Sequence, residues 1–181
     1  MLKPIPVILS PYDPRWPQRA ADYAEQLTII GPCLFKVHHV GSTSVPGLSA
    51  KPIIDLLPVV TDLQALDQNR RHVEALGFQW HGEYGIEGRR YCTLSNAMNL
   101  RIAQLHFFQV GSAQITRHLA FRDYLRTHSG EAQAYSEEKL RARTLHPDDS
   151  YAYSKEKSAW IEQTLTKALK WYTPPLTNQQ S

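Results

Sequence analysis

Apolar positions along the first 60 residues follow two rhythms. From Pro17 onward, Ala20, Tyr23, Ala24, Leu27 and Ile30 recur at helical spacing. The turn Asp13-Pro14-Arg15-Trp16-Pro17 leads into this segment, Pro17 suits a first helical position, and Gly31-Pro32 closes it. Leu34–Val40 and Pro52–Val60 are instead apolar runs of strand length, and Val7–Leu9 is a shorter candidate strand. Asp62 is placed to cap a helix whose Leu63, Leu66, Val73 and Leu76 face a core, with Gly77 past its end. Phe78–Trp80 starts another strand, and Arg89–Leu94 and Leu100–Val110 flank SNAMN as a hairpin. Beyond Gly111 the pattern turns helical, over Ile115–Thr127, Glu131–Thr144 and Pro147–Tyr172. This order predicts an α+β fold in one domain spanning residues 1–172. Residues 1–112 form its strand-rich core and 113–172 its packed helices, followed by a fraying polar tail at 173–181.

Composition narrows the function classes. The chain has 181 residues, 42% hydrophobic and 20% charged, enough for a sizeable core. No apolar run approaches the ~18 residues of a membrane span, and the N-terminal stretch lacks a small-residue cleavage site. Cys33 and Cys92 have no metal or redox spacing, which points to a reducing, cytoplasmic setting. The net charge of +3 permits an anionic ligand, and no basic run is dense enough to argue for nucleic acid.

Candidate chemistry concentrates in HVGSTSVPGLSAKPIIDLLPVV, residues 39–60. Gly41 lets backbone approach an anion closely, and Ser42, Thr43 and Ser44 offer hydroxyl and N–H groups beside it. Lys51 adds a cation that can reach phosphate, and Asp55 a hard oxygen ligand for Mg²⁺. Gly-Ser turns and Pro-Gly dipeptides are common turn elements in any protein. Asp55 is the unusual residue: flanked by Ile53, Ile54, Leu56 and Leu57, it needs either a site or a bonding partner.

The stretches YDPRW, HVGSTSVPGL with KPIID, GIEGRRY, LHFF, HLAFRDYLR and YSKEKSAWI together resemble the GrpB family, also called UPF0157, from about Val7 to Leu169. That resemblance implies a nucleotidyltransferase-like mixed sheet with flanking helices and a helical C-terminal third. It also implies a Gly-Ser turn followed by metal-binding carboxylates on the next strand. Gly41 and Ser42 match the turn and Asp55 the first carboxylate, but Leu57 stands where the second would be. A further carboxylate is expected from a later strand; Leu100–Val110 offers His106 and Gln109 instead. The family domain also occurs fused to dephospho-CoA kinase.

Four further groups complete the candidate site. Glu83, Glu87, Arg89 and Arg90 make either a solvated loop with internal ion pairs or, through Glu87, a metal-shell group beside arginines that clamp phosphate. His39 and His106 are structural strand histidines unless both rings reach one cleft, where His106 would act as a base. Lys157 is the lone charge on a stripe with Tyr153, Trp160, Ile161, Thr164, Ala168 and Trp171; its amine either snorkels to water or leans toward a phosphate. Arg122 and Asp123 rank below these. The expected ligand is a nucleotide or other phosphorylated small molecule, bound with Mg²⁺ and open to nucleotidyl transfer onto a small acceptor. The alternatives are a non-catalytic nucleotide-binding module that has lost its second metal carboxylate, and an interaction domain in which Asp55 pairs with Lys51 or an arginine. Neither the oligomeric state nor the acceptor is legible.

Overall fold

A computed structural model describes residues 4–172; the tail expected at 173–181 lies outside them. Five strands form one mixed sheet: β1 (Leu34–Val40), β2 (Ile54–Val60), β3 (Gln79–Trp80), β4 (Arg89–Ser95) and β5 (Arg101–Gln109). Their spatial order is β1-β2-β5-β4-β3, with β2 and β5 parallel and every other pair antiparallel. The predicted hairpin of β4 and β5 is present. Asn96 closes it by accepting the Met98 and Leu100 N–H groups through Oδ1.

Alternation along β2 divides the molecule into two layers. Ile54, Leu56 and Val60 point into a large cluster with Trp16, Ala20, Leu66, Val73, Leu105 and Phe107. That face carries α1 (Trp16–Gln26), α2 (Leu63–Gln68) and α3 (Arg70–Ala75). Leu57 points the other way and packs with Val40, Phe108 and Leu119, the last on α4 (Ala113–Thr127). Behind α4 lie α5 (Ser129–Leu145), α6 (Ser150–Glu156) and α7 (Ser158–Trp171).

Several boundaries differ from the sequence reading. Val7–Leu9 forms no strand: Val7 N–H donates to Pro147 O at 2.7 Å, and the side chain packs with Ala142 and Tyr153. The first helix stops at Gln26 and passes into a 3₁₀ segment, Leu27–Cys33, interrupted at Gly31. The helix expected after Asp62 breaks at Asn69, whose side chain bonds both Ala65 O and the His72 ring, the local competition typical of asparagine. The long final helix breaks at Lys157 (φ −87°, ψ 0°) into α6 and α7.

Candidate functional site

β1 ends at Val40 directly beside Asp55, the second residue of β2. The chain then turns at Gly41 into a 3₁₀ turn, Ser42–Ser44. Gly41 has φ +69° and ψ −172°, a region essentially open to glycine alone. A Cβ there would stand 2.8 Å from Asp55 Cγ, so the absent side chain is what lets the turn lie on the carboxylate. Ser44 Oγ donates to Gly41 O at 2.6 Å, and Arg126 Nε holds Ser44 O at 2.9 Å. Thr43 is buried, with its hydroxyl 2.9 Å from His39 Nε2 and 3.4 Å from Ile53 O. Ser44 and much of Thr43 therefore maintain the turn, while the Ser42 hydroxyl has no hydrogen-bond partner among the described residues.

Asp55 has a specific set of neighbours. Gln104, its register partner on β5, donates from Nε2 to Oδ1. The Gln104 carbonyl in turn accepts the Tyr91 hydroxyl at 2.6 Å, which fixes the amide orientation. His106 Nε2 lies 3.7 Å from the same Oδ1, and Arg89 Nη1 lies 3.5 Å from His106 Nδ1. The His106 ring thus stands between the Arg89 guanidinium and the Asp55 carboxylate. Burial pushes the Asp55 carboxyl up, but the His106 ring, the Gln104 amide and the Lys51 ammonium outweigh it and hold the group below its ordinary range. Asp55 is thus an anion with one oxygen engaged by the sheet.

Beyond Asp55 a cavity of about 210 Å³ opens between the turn, helices α4 to α6 and the break at Lys157. Three lysines line it: Lys51, Lys139 and Lys157. Tyr135-x-x-x-Lys139 on α5 and Tyr153-x-x-x-Lys157 at the α6–α7 break repeat one spacing, which brings tyrosine and lysine onto the same side of a helix. Lys139 Nζ stands 4.6 Å over the Tyr135 ring, and Lys157 Nζ stands 4.9 Å over Tyr153. Lys51 Nζ covers Tyr153 at 5.4 Å. Burial, reinforced by the neighbouring Lys157 charge, lowers Lys139 to about 7 and Lys51 to about 8. Lys139 is 1% exposed and donates to Ser49 O. Crowded, partly desolvated cations of this kind are relieved by an anion.

Of the residues singled out in the sequence, the cavity brings together Gly41, Ser42, Thr43, Lys51, Asp55, Lys157 and the lower-ranked Arg122, whose guanidinium is paired with Asp123 and bonded to His39 O. His106 contacts Asp55 but does not line the cavity. Arg89 is buried at the start of β4, its guanidinium bound to Glu83 O and Tyr84 O. Arg90 forms a two-pronged ion pair with Asp67 on α2, both contacts at 2.7 Å. Glu83 accepts Gly88 N–H, and Glu87 is exposed. That segment is therefore bonded within itself and to α2, β5 and Tyr151, and none of its residues lines the cavity. His39 carries no charge at neutral pH, since burial lowers it to about 4. Gln109, at the far end of β5, accepts Leu63 N–H. Sequence reasoning missed Gln104 and Lys139. The second Tyr-x-x-x-Lys was the available signal for Lys139; nothing in the sequence marked Gln104.

A two-ion phosphoryl-transfer centre needs several carboxylates. Here Asp55 is the carboxylate on the cavity wall, Leu57 is fully buried, and Gln104 and His106 take the neighbouring positions. No group of three His, Cys, Asp or Glu side chains among the described residues could hold a metal ion. The donor set does not fit such a centre.

Residues 6–167 match the family described as GrpB protein. This chain belongs to the GrpB family. It is 37% identical over 161 residues to the UPF0157 protein YqkA of Bacillus subtilis, covering 88% of this chain and 46% of that protein. It is 36% identical over 163 residues to a UPF0157 protein of Pseudomonas aeruginosa, covering 88% of this chain and 66% of that one. The chain thus spans under half of the Bacillus relative and just under two thirds of the Pseudomonas one. A 77-residue stretch is 39% identical to the dephospho-CoA kinase of Mycolicibacterium paratuberculosis, covering 40% of this chain and 19% of that enzyme. The crystal structure of GrpB from Enterococcus faecalis superposes with a TM-score of 0.86 at 38% identity, over 91% of this chain and 99% of that one. The Cid1 poly(U) polymerase bound to Mg 3'-dATP matches with a TM-score of 0.55 at 13% identity, over 82% of this chain and 49% of that one. The GrpB-family chain therefore has a nucleotidyltransferase-like fold. Among its described residues no helix is long and apolar enough to cross a membrane.

Proposed function

We propose that this protein binds a nucleotide or another phosphorylated small molecule, whose phosphates enter the cavity between the Gly41 turn and Lys51, Lys139 and Lys157. The observation that carries this reading is the convergence of the three lysines on one cavity. Each ammonium is held over a tyrosine ring, and burial and mutual repulsion weaken two of them as charged groups. Bringing these cations together out of water costs free energy that an anionic ligand returns. Asp55 faces the same space and offsets part of the positive charge. The lysines do the binding, and nucleotidyl transfer through paired metal ions is not part of the reading.

Calorimetric titration with pyrophosphate and a panel of nucleoside triphosphates, with and without Mg²⁺, tests it. Phosphate binding is expected without Mg²⁺, and Lys157→Ala should weaken it roughly ten- to a hundred-fold, the worth of a charge-assisted contact. Asp55→Asn should strengthen metal-free binding a few-fold by removing a like charge. Binding that instead requires both Mg²⁺ and Asp55 would overturn the lysine-clamp reading in favour of a metal-dependent transferase.

A further inference from the structure

Resting on that phosphate-binding reading, we infer that the ligand also carries an aliphatic, non-nucleoside moiety, which lies in the groove next to the lysine cavity. The groove encloses about 270 Å³ between the N-terminal segment, the loop before β2 and the β4–β5 turn. Lys51 and Ile53 line both spaces. Lys51 borders the groove, and its ammonium lies 5.4 Å from the Tyr153 ring, which lines the cavity. A ligand with a charged head and an apolar tail matches this change of character across one side chain.

Size agrees. Small-molecule pockets usually enclose about 300–1,000 Å³, a range that neither space reaches alone and both reach together. Exposure agrees as well. Ile8 is 58% exposed, Met98 74% and Leu100 49%, three apolar side chains facing water around one groove. Exposed apolar side chains gathered around one groove offer a hydrocarbon surface to bury. The lip is presented by a braced turn, since Asn96 Oδ1 holds Met98 N–H at 3.0 Å and Leu100 N–H at 2.9 Å.

The lining chooses between a nucleobase and a hydrocarbon. Bases bind by stacking on aromatic rings. Among the described residues no aromatic ring lines the groove; its walls are Ile5, Ile8, Ile53, Met98 and Leu100, with Asn99 and Arg101 as polar members. The cavity's own rings are already engaged: Tyr153 lies under Lys51 and Lys157, Tyr135 is stacked on Trp160 with centroids 4.9 Å apart, and Phe121 packs edge-on against Tyr135 with centroids 5.6 Å apart. An aliphatic chain attached to the phosphate fills the groove without needing a ring.

The test is calorimetric titration of the full chain with pyrophosphate, inorganic triphosphate, ATP and n-alkyl phosphates from butyl to octyl, each below its micelle concentration. Affinity should climb about four-fold per added methylene, the factor expected for each CH₂ buried. The double variant Met98→Ser/Leu100→Ser, altered only at exposed positions, should flatten that slope. A flat series with pyrophosphate still binding would overturn this inference and leave the phosphate reading intact. Failure of every phosphate to bind would overturn both. ATP binding more tightly than inorganic triphosphate, beside a flat alkyl series, would place a nucleoside in the groove instead. Dimerisation on sedimentation, lost in the double variant, would assign the groove to a second copy of the chain. Either result would overturn the proposal.

Discussion

A methyl group at position 41 would meet Asp55 Cγ at 2.8 Å on a backbone that side chains avoid. Gly41→Ala should therefore lower unfolding stability by at least ~1–3 kcal/mol, the cost of a strained φ/ψ, and displace the turn from the cavity. Urea denaturation beside pyrophosphate titration measures both effects. The lysines give a pH signature of unusual sign. Lys139 titrates near 7 and Lys51 near 8 in the folded chain, against an ordinary value of 10.5. Between these values and ~10.5 the unfolded chain binds more protons, so the two groups make ligand-free stability rise with pH over that window. Phosphate affinity should fall over the same window as the cations are lost. Melting temperature and calorimetric affinity followed from pH 6.5 to 9.5 should thus move in opposite directions; a parallel fall in both would show that the lysines do not titrate in this range. Asp55 was legible in the sequence because a charge in an apolar strand needs a reason. Gln104 was not, because a polar residue alternating with apolar ones on a strand looks like any solvent-facing position, and only the parallel register with Asp55 gives it a role.

Elements position the cavity lysines more than any motif does. Asp149 caps α6 by accepting Tyr151 N–H at 2.8 Å and Ala152 N–H at 3.0 Å through Oδ1. This cap orients the helix that carries Tyr153. Asp149→Ala should cost about 0.5–2 kcal/mol of stability, the range for a lost N-cap, and weaken phosphate binding through the displaced ring; chemical denaturation and titration check the two parts. The break at Lys157 was hidden in the sequence, because Ser and Lys near 154–158 are tolerated in a helix and no glycine or proline marks the site. Strong punctuation was read correctly at the hairpin, where Asn96–Asn99 falls in the turn, and in part at Gly31-Pro32, which breaks the 3₁₀ segment after the α-helix has already stopped at Gln26. Weaker signals misled. Val7–Leu9 looked like a strand by composition, yet its partner is the turn before α6 rather than a neighbouring strand.

Across the whole molecule, the strand-rich front and the helical back share one site. Gly41, Lys51 and Asp55 come from the first, Lys139 and Lys157 from the second, and α4 covers Val40, Leu57 and Phe108. A fragment of residues 1–112 would leave that sheet face bare, so it should show no cooperative thermal transition by circular dichroism, whereas the whole chain should melt as one unit. The mixed sheet with flanking helices was implied by the family resemblance, but the meeting of α5 and α6–α7 over the turn was not, since contacts 80 or more residues apart leave no local trace. The burial of Leu57 has a practical consequence. It is 0% exposed among Val40, Phe108 and Leu119. Writing Leu57→Asp to install a paired-ion centre would put an unneutralised charge in an oily layer and loosen α4 long before any ion arrived. Anyone wishing to turn this scaffold into a metal-driven transferase would have to rebuild the seat of that helix first; the obstacle is the architecture around the residue, not the residue itself.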